Sequence, residues 1–120
     1  MVAASASPHF VPTPWSSPEN VDPEEAFVAS LSSCHMLFFL SIAASKKFVV
    51  QNYSDSASGK MKKNLQGNYA ITKVFLGPAV KFANSTLANE AAVMEIHRLA
   101  HNKCFIANSI IAEILIEPVI

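Results

Sequence analysis

Charged residues are scarce in this chain, which has nine basic and nine acidic side chains among 120 residues and a formal net charge of zero. It therefore lacks the basic footprint of a nucleic-acid-binding protein and the polybasic patch of a membrane-surface protein. Hydrophobic residues make up 51% of the chain, and its mean hydropathy is +0.29. This apolar content with so little charge predicts that some apolar surface is buried against a partner subunit.

Cysteine is also rare, with Cys34 and Cys104 as the two examples. The first residues, MVAASASPHF, lack the basic start and the long apolar run of a secretory signal. Few cysteines without a secretory segment favour a reducing compartment, where a catalytic or unpaired thiol is commoner than a structural disulfide. We therefore expect a cytoplasmic protein.

The length of 120 residues predicts one domain over residues 1–120, which buries roughly two-thirds of the surface that the unfolded chain exposes. Four of the seven prolines lie near its start: Pro8, Pro12, Pro14 and Pro18. Each proline removes a backbone donor and disfavours helix in the residue before it. Residues 1–20 are therefore expected to form an extended, proline-rich arm.

The run Asp22-Pro23-Glu24-Glu25 is typical of a helix start. Asp22 is a favourable N-cap, Pro23 suits the first helical position, and Glu25 is placed to complete a capping box. The helix is expected to continue to about Lys46 and is apolar nearly all round. Its repeated serines would suit a membrane span of about 20 residues poorly, so we predict a central buried helix.

Strands and a second helix are predicted after this helix. Strand patterns cover residues 48–55, 57–65, 69–76, 78–82 and 109–120, and a helical stripe covers residues 87–102. The strands before the second helix are expected to pair antiparallel as a meander. This order predicts an α+β fold, with a long helix and a second helix on an antiparallel sheet, and not a wound parallel sheet.

Thiol redox chemistry is one interpretation of the two cysteines, since peroxide reduction needs an attacking thiolate and a second thiol to resolve the sulfenic acid. Cys34 lies too far into its helix for the positive helix end to lower its pKa much. Its own face is mostly apolar, which raises a thiol pKa: Phe27, Ser30, Leu31, Leu37, Phe38 and Ser41. From the residues alone, an inert buried Cys34 and a redox-active Cys34 both remain open.

Glu24 is the acidic candidate for such a site, but it precedes Cys34 by ten residues. In a continuous helix that separation is about 15 Å, so the two side chains cannot touch. Either the helix begins after Glu24, or the glutamate acts from a second subunit. Glu25 is better explained as part of the helix cap.

A metal site is a rival interpretation of the second cysteine. His97, His101 and Cys104 are spaced by four and three residues on one helical face, and each is a possible zinc or iron ligand. His9 and His35 are remote in the sequence and complete no ligand set. We favour a site without metal or cofactor, in which His101 polarises Cys104 and His97 is structural.

Two segments carry a family resemblance. DPEEAFVASLSSCHMLFFLSIAA is similar to the first-cysteine helix of the OsmC/Ohr family, and AHNKCFIANS is similar to its second-cysteine motif. YSDSASGKM and ITKVFLGPAVKF fit the same order, so the resemblance covers residues 18–118. It implies an OsmC-like fold in an intertwined homodimer, with two long central helices packed together and sheets formed from both chains.

The resemblance also implies a thiol-dependent peroxidase that reduces organic hydroperoxides. Cys34 would match the peroxidatic cysteine, Cys104 the resolving cysteine, and Glu24 the acidic residue that helps to position an arginine. A thiol reductant of the dihydrolipoyl type would complete the cycle. The alternative is a weakly active or inactive dimer that binds a small apolar ligand.

One feature departs from the family pattern. The family's arginine lies in an N-terminal strand region before the first helix, whereas the one arginine of this chain is Arg98. The sequence therefore looks like a family member without the N-terminal strands. A cation beside Cys34 would favour its thiolate, so we expect slow peroxide consumption unless another residue replaces that arginine.

Overall fold

The computed structural model of the chain describes residues 19–83 and 89–119. Two helices and five strands follow in the order α1 (Pro23–Ser45), β1 (Val50–Asp55), β2 (Ser58–Lys63), β3 (Tyr69–Leu76), β4 (Pro78–Phe82), α2 (Glu90–Lys103) and β5 (Glu113–Ile116), with a 3₁₀ turn at Ala107–Ser109. This arrangement confirms the predicted α+β class. Nearly all of the predicted arm lies outside the described residues, as do residues 87 and 88 of the predicted second helix.

The start of α1 follows the predicted cap. The Asp22 Oδ1 atom accepts a 2.8 Å hydrogen bond from the backbone N–H of Glu25, and Pro23 occupies the first turn. That bond satisfies one of the backbone donors that a helix N-terminus leaves without a partner. The helix ends at Ser45, and Lys47 follows with a φ of 65° in the left-handed region.

The four strands β1 to β4 form one long hairpin. β1 pairs antiparallel with β4, β2 pairs antiparallel with β3, and the chain reverses at residues 64–68, where Gly67 has a φ of 81°. The predicted meander in chain order was therefore wrong, because β1 contacts β4 and not β2. The long hairpin is broken at residues 56 and 57, opposite Gly77, and each half faces a different part of the core.

Asp55 stabilises this break and ties it to α1. Its Oδ1 atom accepts a 2.7 Å hydrogen bond from the backbone N–H of Gly77, across the hairpin. Its Oδ2 atom accepts a 2.6 Å hydrogen bond from the hydroxyl of Ser32 on α1. Both carboxylate oxygens therefore have partners, and the break in the hairpin is fixed against the helix.

The last strand makes the larger sheet mixed. β5 pairs parallel with β3, from Lys73 opposite Glu113 to Leu76 opposite Ile116. The expectation of a purely antiparallel sheet is corrected here, since β5 is separated from β3 by β4 and α2 and returns to it in the parallel sense. β5 covers Glu113–Ile116 and ends ahead of Pro118, the residue that was expected to close this strand.

Two apolar clusters form the core, and α1 contributes to both. Val28 and Leu31 of α1 pack with Val74 and Leu76 of β3, near the β2–β3 half of the hairpin. Further along α1, the second cluster contains Phe39, Ala43, Ile96 and Ala100, and the β1–β4 half packs on it. One face of α1 is therefore buried within the chain, while the opposite face, including Leu37 at 62% exposure, is exposed.

By length and composition α1 is apolar enough to cross a membrane, with a mean hydropathy of 1.8 over its most apolar window. Core helices of soluble proteins share these properties. α1 packs against α2, β1, β2 and β3 through one stripe, and 28% of its most apolar stretch is buried within the chain.

We predict that Gly59→Ala lowers the free energy of unfolding by about 1–3 kcal/mol, because the added methyl group overpacks the core. A Cβ atom on Gly59 would lie 2.7 Å from Cγ2 of Val28, a buried and β-branched residue with little rotamer freedom. Gly77→Ala is the matched control, since its Cβ atom would come no closer than 3.8 Å to another atom. Urea unfolding measures both variants, and equal stability of the two would contradict the packing argument.

Candidate active site

Cys34 lies in the middle of α1, half-buried, beside a cavity of about 540 Å³. The walls of the cavity are mostly apolar and come from α1 and from the segment after α2: Ser30, Ser33, Cys34, Leu37, Phe38, Ser41, Phe105 and Ile106. Four of the residues predicted to share the face of Cys34 line this cavity. The sequence analysis missed Phe105 and Ile106, which come from the far end of the chain.

Cys104 is the C-cap of α2 and is 1% exposed. Its sulfur accepts a 3.5 Å hydrogen bond from the backbone N–H of Ala107 and lies close enough to Cys34 for that thiol to influence its pKa. Both cysteines are free thiols. The packing of α2 on α1 thus brings together two side chains that are seventy residues apart in the sequence (104 − 34 = 70).

The two thiols differ in their surroundings. Burial raises the pKa of the Cys104 thiol, and the neighbouring Cys34 thiol raises that pKa further. Cys104 does not line the cavity, whereas Cys34 does. Cys104 is therefore the less accessible of the pair, and its raised pKa disfavours the thiolate, which is the reactive form of cysteine.

An aromatic contact closes the segment after Cys104 onto α1. The rings of Phe38 and Phe105 meet edge to face, with centroids 5.1 Å apart and an interplanar angle of 89°. Phe38 follows Cys34 by one helical turn, and Phe105 directly follows Cys104. The contact therefore holds the backbone around Cys104 close to the turn of α1 that carries Cys34.

A buried histidine pair lies on the other side of the same helices. The Nε2 atom of His35 is 3.0 Å from the Nδ1 atom of His97, and both side chains are at most 3% exposed. His35 is remote from His97 in the sequence, but the packing of α2 on α1 brings the two rings together. His35 shares its spacing with Val28, Leu31 and Phe39, so the buried stripe of α1 was the signal that could have revealed it.

Both imidazoles are held neutral. Burial lowers the pKa of His35 to about 4, and the charge of His101 acts in the same direction, while Asp55 opposes them. Burial likewise lowers the pKa of His97 to about 4, assisted by His35. A neutral pair satisfies its shared hydrogen bond with one donor and one acceptor, which two protonated rings cannot do.

The geometry does not support the rival metal site. His97 is directed to His35, and Cys104 contacts Cys34 and has an extended backbone at the C-cap. The helical face predicted for His97, His101 and Cys104 therefore does not exist as one ligand set. In the described parts of the chain, residues 19–83 and 89–119, no group of three or more His, Cys, Asp or Glu side chains is placed to hold a metal ion.

Glu24 is in the first turn of α1, at a different cavity from Cys34. Its neighbours there include Asp22 and Asp55, and its Oε2 atom is buried without a hydrogen-bond partner. The helix is continuous from Pro23 to Ser45, which removes the possibility that it begins after Glu24. Within one chain, Glu24 is thus kept apart from the thiol pair.

Arg98 does not replace the missing family arginine. Its guanidinium donates two hydrogen bonds to the Glu95 carboxylate, at 2.6 and 2.8 Å, on the exposed side of α2. It lines a small cavity beside β5 and not the cavity of Cys34. The chain's one arginine is therefore engaged elsewhere.

Comparison with known proteins places this arrangement in a family. The family model described as OsmC-like protein matches residues 16–118. The chain belongs to the OsmC-like protein family. It is 51% identical to an OsmC-like protein of unknown function from Vibrio cholerae O1 biovar eltor str. N16961, with a TM-score of 0.94 over 98% of this chain and 77% of that one.

More distant OsmC-like structures share the fold. An organic hydroperoxide resistance protein OsmC from Legionella pneumophila is 16% identical, with a TM-score of 0.75 over 96% of this chain and 79% of that one. The organic hydroperoxide resistance protein OhrB of Bacillus subtilis is also 16% identical, with a TM-score of 0.71 over 83% of this chain and 71% of that one. A search of curated proteins found no match.

We predict that this OsmC-like chain loses stability as the pH falls from about 6.5 towards 4. The unfolded chain binds protons at the ordinary histidine pKa, while the folded chain excludes them from His35 and His97, so the stabilisation is complete above that pKa and is lost through the folded value of about 4. Each imidazole contributes a slope of up to about 1.4 kcal/mol per pH unit. Urea unfolding at several pH values measures this slope.

Two variants test whether the buried histidine pair causes this pH dependence of stability. His97→Gln removes one titrating ring and is expected to flatten the pH dependence by roughly half. His101→Gln, at a partly exposed position on the same helix, is the control and is expected to keep most of it, because burial and not His101 is the largest cause of the low pKa of His35. An unchanged slope in the His97 variant would show that the buried pair is not the source.

Proposed function

We propose that this protein is a thiol-dependent peroxidase that reduces organic hydroperoxides, with Cys34 as the peroxidatic cysteine and Cys104 as the resolving cysteine. The observation that carries the proposal is the proximity of two free thiols of unequal exposure, of which Cys34 lines a cavity and Cys104 is buried. The more accessible thiol, Cys34, lines a cavity, and the buried thiol of Cys104 lies beside it. A sulfenic acid formed on Cys34 would therefore have its second thiol in reach.

The reaction balances with these two groups. The Cys34 thiolate attacks the terminal oxygen of the hydroperoxide, the O–O bond breaks, and the alkoxide leaves and takes up a proton to become the alcohol. The Cys104 sulfur then attacks the Cys34 sulfenic acid, and water leaves as the disulfide forms. A thiol reductant, which we propose to be of the dihydrolipoyl type, supplies the two electrons that restore the thiols.

The proposed substrate class follows from the walls of the cavity. Leu37, Phe38, Phe105 and Ile106 offer apolar contact to an alkyl chain, and serine hydroxyls are the polar groups among the lining residues. Burying an alkyl chain there is favourable by about 25 cal/mol for each Å² of apolar surface. The Legionella and Bacillus proteins with the same fold are described as organic hydroperoxide resistance proteins, which agrees with this proposal.

We further propose a homodimer that forms along the exposed face of α1. Mostly small, exposed residues recur on this face at helical spacing: Ala26, Ala29, Ser33, Leu37, Ser41 and Ala44. Small side chains allow a second helix to approach closely, and an apolar face of this length is rarely left in water. In such a dimer, Glu24 of one copy would act on the thiol pair of the other, since its own thiols lie about 15 Å away along α1.

The free thiols support a reducing compartment, and we propose the cytoplasm, without a membrane or nucleic-acid partner. A second candidate function is the binding of a small apolar ligand by a weakly active or inactive dimer. The engagement of Arg98 with Glu95 favours this candidate, because Cys34 then has no guanidinium from the described residues to promote its thiolate.

We predict that one equivalent of an alkyl hydroperoxide consumes both thiols of the wild-type chain and forms a disulfide. In Cys104→Ser, the sulfenic acid on Cys34 is expected to persist and to react with a dimedone-type reagent, because no thiol remains to resolve it. Mass spectrometry of peptides locates the label. Cys34→Ser is the matched control and is expected to give no label, and a label on its Cys104 would reverse the two roles. Unreacted thiols in the wild-type chain would favour the ligand-binding function.

We predict that Leu37→Glu converts the dimer into monomers, because it places a charge at the middle of the exposed face of α1, where burial without a partner is costly. Leu65→Glu, at a fully exposed position in the hairpin turn, is the matched control and is expected to leave the dimer intact. Light scattering at micromolar concentration measures the mass. A wild-type chain that is a stable monomer would contradict the proposed assembly.

A further inference from the structure

We propose that the external reductant attacks the sulfur of Cys34 in the oxidised protein, so that the first mixed disulfide forms on Cys34 and Cys104 is the leaving thiolate. This inference rests on the proposed function in one respect, since it requires a disulfide between Cys34 and Cys104. It adds which of the two sulfurs the reductant attacks and which one leaves. It also assigns a positioning role to Phe105, which is 72% exposed but whose contact with Phe38 holds the segment after Cys104 against α1.

The first argument is access. Thiol–disulfide exchange needs a thiolate to reach one sulfur of the disulfide, opposite the sulfur that leaves. Cys34 is half-buried and lines the cavity, whereas Cys104 is 1% exposed and does not line it. Ser33, Leu37 and Ser41 line the cavity and also belong to the proposed dimer face, so in the dimer the cavity lies at the interface. Reduction of a hydroperoxide requires the cavity to stay open to small molecules there. Nothing in that reaction requires a path to Cys104.

The second argument is the cover over Cys104. The Phe105 ring packs on Phe38 of α1, and the backbone N–H of Ala107 bonds to the Cys104 sulfur. The backbone N–H of Asn108 also bonds to the carbonyl oxygen of Cys104, at 3.0 Å. These contacts fold the chain after α2 back over its last turn. A reductant could reach Cys104 only after this segment opened.

The low acidity of the Cys104 thiol disfavours attack on Cys34, but its effect on the exchange rate is small. Burial raises the pKa of Cys104, and a less acidic thiol leaves more slowly. With a Brønsted coefficient of about 0.5, each pKa unit changes the exchange rate by roughly threefold. A sulfur without access to solvent is not attacked at all until the cover opens, so access outweighs acidity in the folded protein.

The exchange balances as follows. A thiolate of a dithiol reductant bonds to the Cys34 sulfur, the bond between Cys34 and Cys104 breaks, and the Cys104 thiolate takes up a proton. The second thiol of the reductant then attacks its own sulfur in the mixed disulfide, and Cys34 leaves as a thiolate. The protein gains two electrons and the reductant becomes a cyclic disulfide.

The test begins with the full chain oxidised by diamide, without any peroxide, and with the disulfide verified by thiol titration. A short pulse of 2-mercaptoethanol, a monothiol, is applied and then quenched with excess N-ethylmaleimide, which alkylates the remaining reductant and the released thiol and so prevents rearrangement. Peptide mapping then locates the mercaptoethanol adduct. We expect adducts on Cys34 to exceed those on Cys104 by at least about tenfold, because access controls the attack.

Two controls separate access from acidity. In urea the unfolded, oxidised chain exposes both sulfurs, and the preference is expected to fall to about threefold or less. Phe105→Ala is expected to raise the share of adducts on Cys104 in the folded protein, whereas Leu65→Ala, in the exposed hairpin turn, is expected to leave it unchanged. If the share of adducts on Cys104 is unchanged in Phe105→Ala, then Phe105 does not have the positioning role proposed for it.

The outcomes distinguish this inference from the proposed function. Adducts mainly on Cys104 of the folded wild-type chain would overturn the inference and leave the peroxidase proposal intact. Failure of diamide to form the disulfide would overturn both. A disulfide that forms with diamide but not with an alkyl hydroperoxide would contradict the peroxidase proposal. The sulfur that the reductant attacks could still be identified in that case.

Discussion

The hydrogen bond between His35 and His97 is the contact on which the rest of the candidate site depends. It joins α1 to α2 in the interior, where each neutral ring satisfies one polar atom of the other. Cys34 is the neighbour of His35 in the sequence, and Cys104 follows His97 by two helical turns. A sliding of either helix along the other would break this bond and leave polar atoms buried without partners, which costs about 1–3 kcal/mol for each atom. The bond therefore fixes the register that brings the thiols together.

Local patterns predicted the helices well because their signals lie within a few residues. The cap formed by Asp22 and Pro23 marks the start of α1 through the chemistry of a helix N-terminus, and the structure confirms that start. Strand pairing was harder to predict. The hairpin break depends on a hydrogen bond from Gly77 to Asp55, twenty-two residues away. No pattern within either strand encodes such a partner.

The candidate site shows the same division between local and distant information. The serines and apolar residues on the face of Cys34 followed from helical spacing, and several of them line the cavity. The proximity of Cys104 came from a family resemblance, because a separation of seventy residues has no periodicity to read (104 − 34 = 70). Phe105 was missed since its contact with Phe38 exists only once both helices are packed.

The carboxylate of Asp55 also has a consequence for how the molecule unfolds. The two halves of the hairpin pack on two separate apolar clusters, and in many proteins such halves open independently. Here one side chain bonds to the backbone at the break and to Ser32 of the helix that crosses both clusters. Opening either half of the hairpin would strain these hydrogen bonds of Asp55 and so disturb the other half. We therefore expect the two clusters to unfold as one cooperative unit, with the Asp55 side chain as the link between them.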